Sequence, residues 1–314
     1  MRRRLVAILG LALVGPAALA AQTWFTERSA TAALPAPGSF VEVEGIRLHF
    51  VCAGVGQAIL LIHGNPGSVL TWHTTVLPPL AARHRVCAVD RPGHGLSERG
   101  GDQADSVEGQ ARLLHGAARR LGLRRPVLVG HSWGGAAALA YAVAFPEDVA
   151  GLALLAGVAY PDASGFADGA ERIALLPVVG PVAIHVVGPV LARPLLNRSL
   201  DLAFAPDPVP AGYRDRVIPV WARPTVLRAI SADNAALSPG LASLHLRYGE
   251  IRAPAAILVG DADRLVNPAR HSFRLKAVLP RATLAVFEGA GHELHQTRTG
   301  PVVEAILALR AGAR

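Results

Sequence analysis

The stretch Gly130-His131-Ser132-Trp133-Gly134 decides the fold of this chain. It follows an apolar run, 126–129, that is typical of a buried strand, and it precedes 136–144, an alanine-rich run typical of a helix. A strand, a G-x-S-x-G motif and a helix in this order predict a nucleophile elbow. Such a turn needs its glycines because a Cβ there would collide with neighbouring backbone. The helix N-terminus beside Ser132 favours developing negative charge.

Short apolar strands and helices alternate on both sides of this stretch. Residues 40–44 and 46–51 predict a β-hairpin. Further strands are predicted at 58–62, 85–89, 126–129, 150–155, 255–259 and 282–286, and a helix at 106–121. The alternation indicates an α/β fold, a mostly parallel sheet with helices on both faces. It breaks at 160–250, where Pro and Gly are frequent, and this segment is interpreted as an inserted helical cap.

The loop His63-Gly64-Asn65-Pro66-Gly67 follows the predicted strand at 58–62. Its position along the chain is suited to a second oxyanion donor. The predicted oxyanion hole therefore consists of the backbone N–H groups of Asn65 and Trp133. His63 is expected to pack and to form hydrogen bonds within its own loop.

Two loops near the C-terminus contain the partners that a nucleophilic serine needs. Asp263 follows the strand at 255–259, and His292 follows the strand at 282–286. The chain order Ser132, Asp263, His292 predicts a catalytic triad. In it Ser132 is the nucleophile, His292 is the general base, and Asp263 holds the imidazole tautomer.

With these motifs, residues 40–312 resemble the α/β-hydrolase superfamily, in the branch with a helical cap that includes epoxide hydrolases and haloalkane dehalogenases. The stretch DRPGHGLS at 90–97 is similar to the D-x-x-G-x-G-x-S loop of that branch. The resemblance implies an eight-stranded, mostly parallel sheet. Its G-x-x-D pattern favours Asp263 over Asp261 as the acid. Asp162 is an alternative, because some members place the acid after the strand at 150–155.

The nucleophile departs from that branch, whose members have Asp at the elbow where this chain has Ser132. A serine ether would not hydrolyse readily, so the serine predicts an acyl-enzyme formed from a small or medium apolar ester-like substrate: a carboxylic ester, a thioester or a lactone. A cofactor-free haloperoxidase or perhydrolase and a C–C bond hydrolase are alternatives with the same triad. A non-catalytic binding module is the alternative from another class. Asn65 and Trp133 also match the halide-binding pair of dehalogenases, a match interpreted as shared ancestry.

The amino-acid composition limits the classes of partner that this chain is expected to bind. The net charge is +8, with Lys276 as the only lysine among 31 basic residues. The arginines are scattered, and no basic stripe alternates with aromatic residues, so nucleic-acid binding is not expected. No metal-binding motif occurs, and neither a metal nor an organic cofactor is expected. The expected partner is a small-molecule substrate, and the oligomeric state stays open.

The N-terminus has the pattern of an export signal. Three arginines, Arg2 to Arg4, precede an apolar run, and Ala18-Leu19-Ala20 resembles a cleavage site. Residues 1–21 are therefore predicted to be a signal peptide or an N-terminal membrane anchor, which would allow membrane association. The protein is expected to be exported, periplasmic or secreted, or anchored to the membrane. The remaining predicted divisions are a linker at 22–38, the core at 39–159 and 251–314, and the cap at 160–250.

The two cysteines, Cys52 and Cys87, have no metal-type spacing. The favoured interpretation is that both are small, unpaired residues buried on strands, since free cysteine is among the most buried residue types. A disulfide is the alternative if the protein is exported.

Overall fold

The computed structural model describes residues 38–101, 104–162, 169–177 and 179–311, together with Ala21, Phe25 and Arg28. Most of the predicted signal or anchor segment and of the linker lies outside the described residues. Within the described part of the chain, no helix is both long and apolar enough to cross a membrane.

Eight strands form one sheet in the order β1-β2-β4-β3-β5-β6-β7-β8. They are β1 (Ser39–Val43), β2 (Ile46–Ala53), β3 (Ala58–Ile62), β4 (Arg85–Val89), β5 (Val127–His131), β6 (Gly151–Leu155), β7 (Ala255–Gly260) and β8 (Ala282–Phe287). Only the β1–β2 and β2–β4 pairs are antiparallel. The predicted eight-stranded, mostly parallel sheet is therefore confirmed, and so is the hairpin.

The central strands β3, β5, β6 and β7 are buried at every residue. Their side chains alternate between two hydrophobic clusters: Leu60 and Leu128 belong to one, whereas Leu61 and Val129 belong to the other. Such strands are continuous apolar runs because both faces of a parallel sheet are covered. Their carboxyl ends meet at one edge, where the candidate catalytic loops follow.

Helices around the sheet include α1 (Leu70–His73), α2 (Leu77–Ala81), α3 (Val107–Arg120) and α4 (Trp133–Ala144). Ser106 caps α3, as its side-chain oxygen accepts a hydrogen bond from the N–H of Gly109 at 2.9 Å. The helix predicted at 136–144 begins earlier, at Trp133, since the elbow joins strand to helix through one residue.

The chain between β6 and β7 forms a group of helices, here named the inserted helices (169–177 and 179–250). Its α-helices are α5 (Gly169–Ala174), α6 (Val179–Val182), α7 (Gly188–Phe204), α8 (Tyr213–Trp221) and α9 (Pro224–Leu244). Pro194, Pro219 and Pro239 lie inside the last three, which explains the irregular helical period of the sequence. The interpretation of 160–250 as a separate cap stays a prediction.

Further α-helices of the described structure follow β7 and β8. They are α10 (Arg274–Val278), α11 (Leu294–Thr297) and α12 (Thr299–Ala311). Buried residues of α12, among them Val302 and Ile306, pack in the cluster that contains Leu61 and Val129. This helix therefore covers the sheet face opposite the one covered by α3 and α4.

Cys52 and Cys87 form a disulfide bond. They lie opposite each other on the antiparallel strands β2 and β4. The favoured interpretation of two unpaired cysteines was therefore wrong, because the pairing of β2 with β4 brings together residues that are distant in sequence. Disulfides persist in oxidising compartments. The bond agrees with the predicted export, which stays a prediction.

A buried ionic network joins the inserted helices to the core. Asp233 on α9 accepts hydrogen bonds from Arg91 at 2.5 Å, Arg99 at 2.6 Å and Gln110 at 2.9 Å, and lies 2.9 Å from the ring of His94. The side chain of Asp233 is fully buried. Burial alone would raise its pKa, but the positive charges of Arg91 and Arg99 outweigh burial and hold the pKa well below its ordinary value.

The substitution Asp233→Asn should lower the free energy of unfolding by about 3–5 kcal/mol, because it leaves the fully buried Arg91 without its counter-charge. Urea denaturation followed by circular dichroism measures the loss. Asp105→Asn is the matched control: Asp105 also pairs with Arg99, at 2.8 Å, but is 49% exposed. The control should lose less than about 1 kcal/mol. Equal losses in the two variants would contradict a special role for the buried network.

Candidate active site

The turn between β5 and α4 holds Ser132 in a strained backbone conformation. Its φ is 52° and its ψ is −121°, a region that side-chain-bearing residues rarely adopt. The conformation is held by backbone hydrogen bonds, since the N–H of Ser132 donates to Leu155 O at 3.0 Å and the Ser132 carbonyl accepts from Val158 N at 3.0 Å. The predicted elbow geometry is thus present at Ser132.

The two outer glycines of the motif permit close backbone contact. A Cβ on Gly130 would lie 2.5 Å from the carbonyl oxygen of Gly134. A Cβ on Gly134 would lie 2.3 Å from the carbonyl oxygen of Ile62, at the end of β3. Both contacts are with backbone, which cannot move aside cheaply, so only glycine fits at these two positions.

Asp263 and His292 are brought together at the carboxyl edge of the sheet. The Nδ1 of His292 lies 2.8 Å from Oδ2 of Asp263. The other carboxylate oxygen accepts from the backbone N–H groups of Leu265 (2.8 Å) and Val266 (2.9 Å). The carboxylate is therefore oriented from both sides, and it places the donor hydrogen of the imidazole on Nδ1. The Nε2 of His292 remains as a proton acceptor.

The charges of Asp263 and His292 shift the pKa of both side chains. Burial alone would raise the pKa of Asp263, but the adjacent His292 and the hydrogen bonds hold the pKa below its ordinary value. Burial alone would lower the pKa of His292, but the negative charge of Asp263 outweighs it and raises the pKa. The pair is thus suited to stabilising an imidazolium.

The two alternative acids make other contacts. Asp261 accepts a hydrogen bond from the N–H of Gly289 at 2.8 Å. Asp162 lies 3.5 Å from Arg270. Of the three acids considered, Asp263 is the one that the described structure bonds to His292.

Ser132 and His292 line one cavity of about 200 Å³. Part of its wall comes from the core and part from the inserted helices. Its apolar lining residues include Val158, Leu200, Trp221, Leu237 and Val266. Among the described residues that line it, none is an arginine or a lysine.

The side chains of Asn65 and Trp133 bind the inserted helices. The amide of Asn65 donates to Ile230 O at 3.1 Å and to Asn234 Oδ1 at 2.8 Å. The indole N–H of Trp133 donates to Asp233 O at 3.2 Å. These contacts give both side chains a structural role, and the interpretation of the halide-pair match as shared ancestry stays a prediction.

Asn65 and Trp133, the predicted oxyanion donors, lie at the same cavity as Ser132. Trp133 is the first residue of α4, and the first N–H groups of a helix have no partner within the helix. Their assignment as oxyanion donors stays a prediction.

His63 and three aromatic residues of the inserted helices are packed in the interior. The Nδ1–H of His63 donates to Gly64 O at 2.9 Å, and its Nε2 accepts from the N–H of Arg91 at 2.9 Å. Tyr213, Trp221 and Tyr248 are buried, and only Trp221 of these also lines the cavity.

Three buried side chains that sequence reasoning did not assign lie next to His292. One donor atom from each of His131, Glu293 and His295 lies within 4.8 Å of the other two. The Nε2–H of His131 donates to the carbonyl oxygen of His292 at 3.2 Å. Burial raises the pKa of Glu293 to about 7 and lowers that of His295 to about 3. The available signal was the spacing of His292 and His295, but nothing in the sequence relates either of them to His131.

Comparison with known proteins supports the same fold. A family model described as the alpha/beta hydrolase fold matches residues 57–178. An uncharacterised protein of Mycobacterium tuberculosis is 33% identical over 272 residues, which cover 81% of this chain and 75% of that protein.

A 2-hydroxy-6-oxo-2,4-heptadienoate hydrolase of Pseudomonas putida is 30% identical over 270 residues, covering 83% of this chain and 92% of that protein. Among solved structures, a bacterial membrane phospholipase A superposes with a TM-score of 0.68 at 25% identity, covering 100% of this chain and 99% of that chain.

The rate of substrate turnover should rise with pH through a midpoint above about 6.5, the ordinary pKa of histidine, because His292 must be neutral to accept a proton and Asp263 raises its pKa. Asp263→Asn should move the midpoint to lower pH and reduce kcat by about 10⁴-fold. The pH dependence of kcat/KM measures the midpoint. Asp261→Asn, the same change two residues away, should keep the wild-type dependence of kcat/KM on pH. A larger loss of kcat in Asp261→Asn than in Asp263→Asn would assign the acid to Asp261.

Proposed function

This chain belongs to the α/β-hydrolase family, and on that premise we propose that it is a serine hydrolase that forms an acyl-enzyme on Ser132. The observation that supports this most directly is the 2.8 Å contact between His292 and Asp263 beside the cavity that Ser132 lines. An elbow serine, an oriented histidine and a buried acid are the groups that nucleophilic acyl transfer needs.

In the acylation step, the Nε2 of His292 takes the proton of the Ser132 hydroxyl as Oγ attacks the substrate carbonyl carbon. The resulting oxyanion accepts hydrogen bonds from the backbone N–H groups of Asn65 and Trp133. When the tetrahedral intermediate collapses, the bond to the leaving alcohol or thiol breaks. The leaving group receives the proton from His292, and the acyl group remains on Ser132.

In the deacylation step, water replaces the alcohol. His292 takes a proton from the water as its oxygen attacks the acyl carbon, and the second oxyanion occupies the same hole. Collapse releases the carboxylic acid and returns the proton to Ser132. The negative charge of Asp263 stabilises the imidazolium in both steps, in keeping with the raised pKa of His292.

The cavity supports a substrate that is uncharged and apolar near the scissile bond. Its volume of about 200 Å³ suits a small or medium acyl group. Leu200, Trp221 and Leu237 of the inserted helices line it, and we assign these helices the role of a cap that excludes water. No described lining residue is an arginine or a lysine that could pair with a substrate carboxylate.

A C–C bond hydrolase is the second candidate, favoured by the 30% identity to the heptadienoate hydrolase. The name of that relative denotes a carboxylate substrate, which a cavity whose described lining has no arginine or lysine would bind poorly. The phospholipase neighbour acts on esters, as its name says. We therefore favour carboxylic esters, thioesters and lactones over dienoates.

Treatment with a fluorophosphonate should give one covalent adduct on Ser132, located by mass spectrometry of the digested protein. Ser132→Ala should abolish the adduct and reduce kcat by at least about 10³-fold, because the nucleophile is lost. Ser199→Ala is the matched control, since Ser199 lines the same cavity, and it should retain the adduct on Ser132. An adduct on Ser199, or unreduced turnover in Ser132→Ala, would refute the assignment.

A panel of neutral and anionic substrates distinguishes the two candidates. We expect kcat/KM for short neutral p-nitrophenyl esters to exceed that for a 2-hydroxy-6-oxo-dienoate by at least about 100-fold, as an unpaired buried charge costs several kcal/mol. Phospholipid esters and lactones belong in the same panel. A preference for the dienoate would instead establish the C–C hydrolase.

A further inference from the structure

A second cluster of polar side chains lies against the catalytic histidine and has no part in the proposed mechanism. Its members, His131, Glu293 and His295, are 3%, 8% and 0% exposed. The ring of His131 lies 4.7 Å from that of His292 and 4.3 Å from that of His295, measured between centroids. Two imidazoles and a carboxyl are therefore enclosed together beside the active site.

Within the described structure, three polar atoms of Glu293 and His295 lack hydrogen bonds, whereas Nε2 of His131 is bonded to the carbonyl oxygen of His292. Among the described residues, Oε2 of Glu293 and both ring nitrogens of His295 make none. Leaving such buried atoms unpaired costs about 1–3 kcal/mol each. Native proteins rarely retain several of them at one place without a ligand or an ion.

We propose that His131, Glu293 and His295 form a binding site for a divalent transition-metal ion of the zinc type. Imidazole nitrogen and carboxylate oxygen are ligands that zinc prefers, at about 2.0–2.2 Å. A tetrahedral ion with such bonds holds its ligand atoms about 3.3–3.5 Å apart. Oε2 of Glu293 and Nε2 of His295 already lie 3.3 Å apart.

The cluster has an entry path and an open position. His131 and Glu293 line the cavity that Ser132 also lines, whereas His295 is fully buried and is not among the lining residues. Three protein ligands leave a fourth position for water or for a group in the cavity. An ion held there narrows the space next to Ser132. Provided that the chain is the proposed serine hydrolase, the bound ion inhibits it.

The segment 292–295, which contains two of the ligands, is held in place by the inserted helices. The backbone N–H groups of His292 and Glu293 both donate to the carbonyl oxygen of Ala203, at 3.0 and 3.3 Å. Ala203 belongs to α7 of the inserted helices. Glu293 and the start of α11, which contains His295, are thus held against the inserted helices by contacts that do not need the ion.

Isothermal titration calorimetry of the chelator-treated protein with Zn²⁺ tests the site directly. We expect one saturable site per chain, with affinity lowered at least tenfold by His295→Gln and by Glu293→Gln. His185→Gln, the same change at a histidine of the inserted helices outside the cluster, should keep the wild-type affinity. Absence of saturable binding, or equal affinity in all variants, would overturn the proposal.

Two further measurements keep the test valid if a variant fails to fold. Co²⁺ added to the wild type should give the intense visible absorption of a tetrahedral ion, whereas the weak spectrum of hydrated Co²⁺ would overturn the proposal. Ser132→Ala should bind Zn²⁺ as the wild type does, which separates the metal site from the nucleophile. If the wild type had no ester turnover but still bound Zn²⁺, the metal site would stand and only its inhibitory role would be refuted.

Discussion

The close packing of backbone at the elbow is the constraint on which the site depends. Because Gly130 and Gly134 have no Cβ, α4 can begin directly after β5 and pass within contact of the end of β3. This single turn places three groups at once. It directs Ser132 to the carboxyl edge, sets the N–H of Trp133 at a helix start, and puts the His131 ring against the loop of His292.

The inserted helices contact several loops at that edge through polar groups. Asp233 binds two core arginines, the carbonyl of Ala203 binds the histidine loop, and Asn234 binds Asn65 of the oxyanion loop. The buried charges of Asp233 and Arg91 stabilise one placement of α9, since any shift would leave them unpaired. The geometry of the cavity is therefore a joint property of the sheet and these helices.

The acids of two neighbouring acid–histidine pairs differ in the direction of their pKa shifts because their surroundings differ. Asp263 accepts hydrogen bonds from two backbone N–H groups and from the ring of His292. These contacts favour its ionised form, which raises the pKa of the histidine. Glu293 receives no such support at Oε2, and burial raises its pKa to about 7. The first pair is suited to proton transfer, whereas the second is suited to a ligand that supplies the missing charge.

The sequence by itself determined the elements and the order of the motifs, because strand and helix periods are local properties. It predicted the eight strands, the elbow at Ser132, and both Asp263 and His292 at strand ends. Only the tertiary structure decided that Cys52 pairs with Cys87 and that His131 meets a loop 161 residues away. The physical reason is that such contacts depend on strand order and on the packing of the inserted helices. Strand order and helix packing do not produce a periodic pattern in the amino-acid sequence.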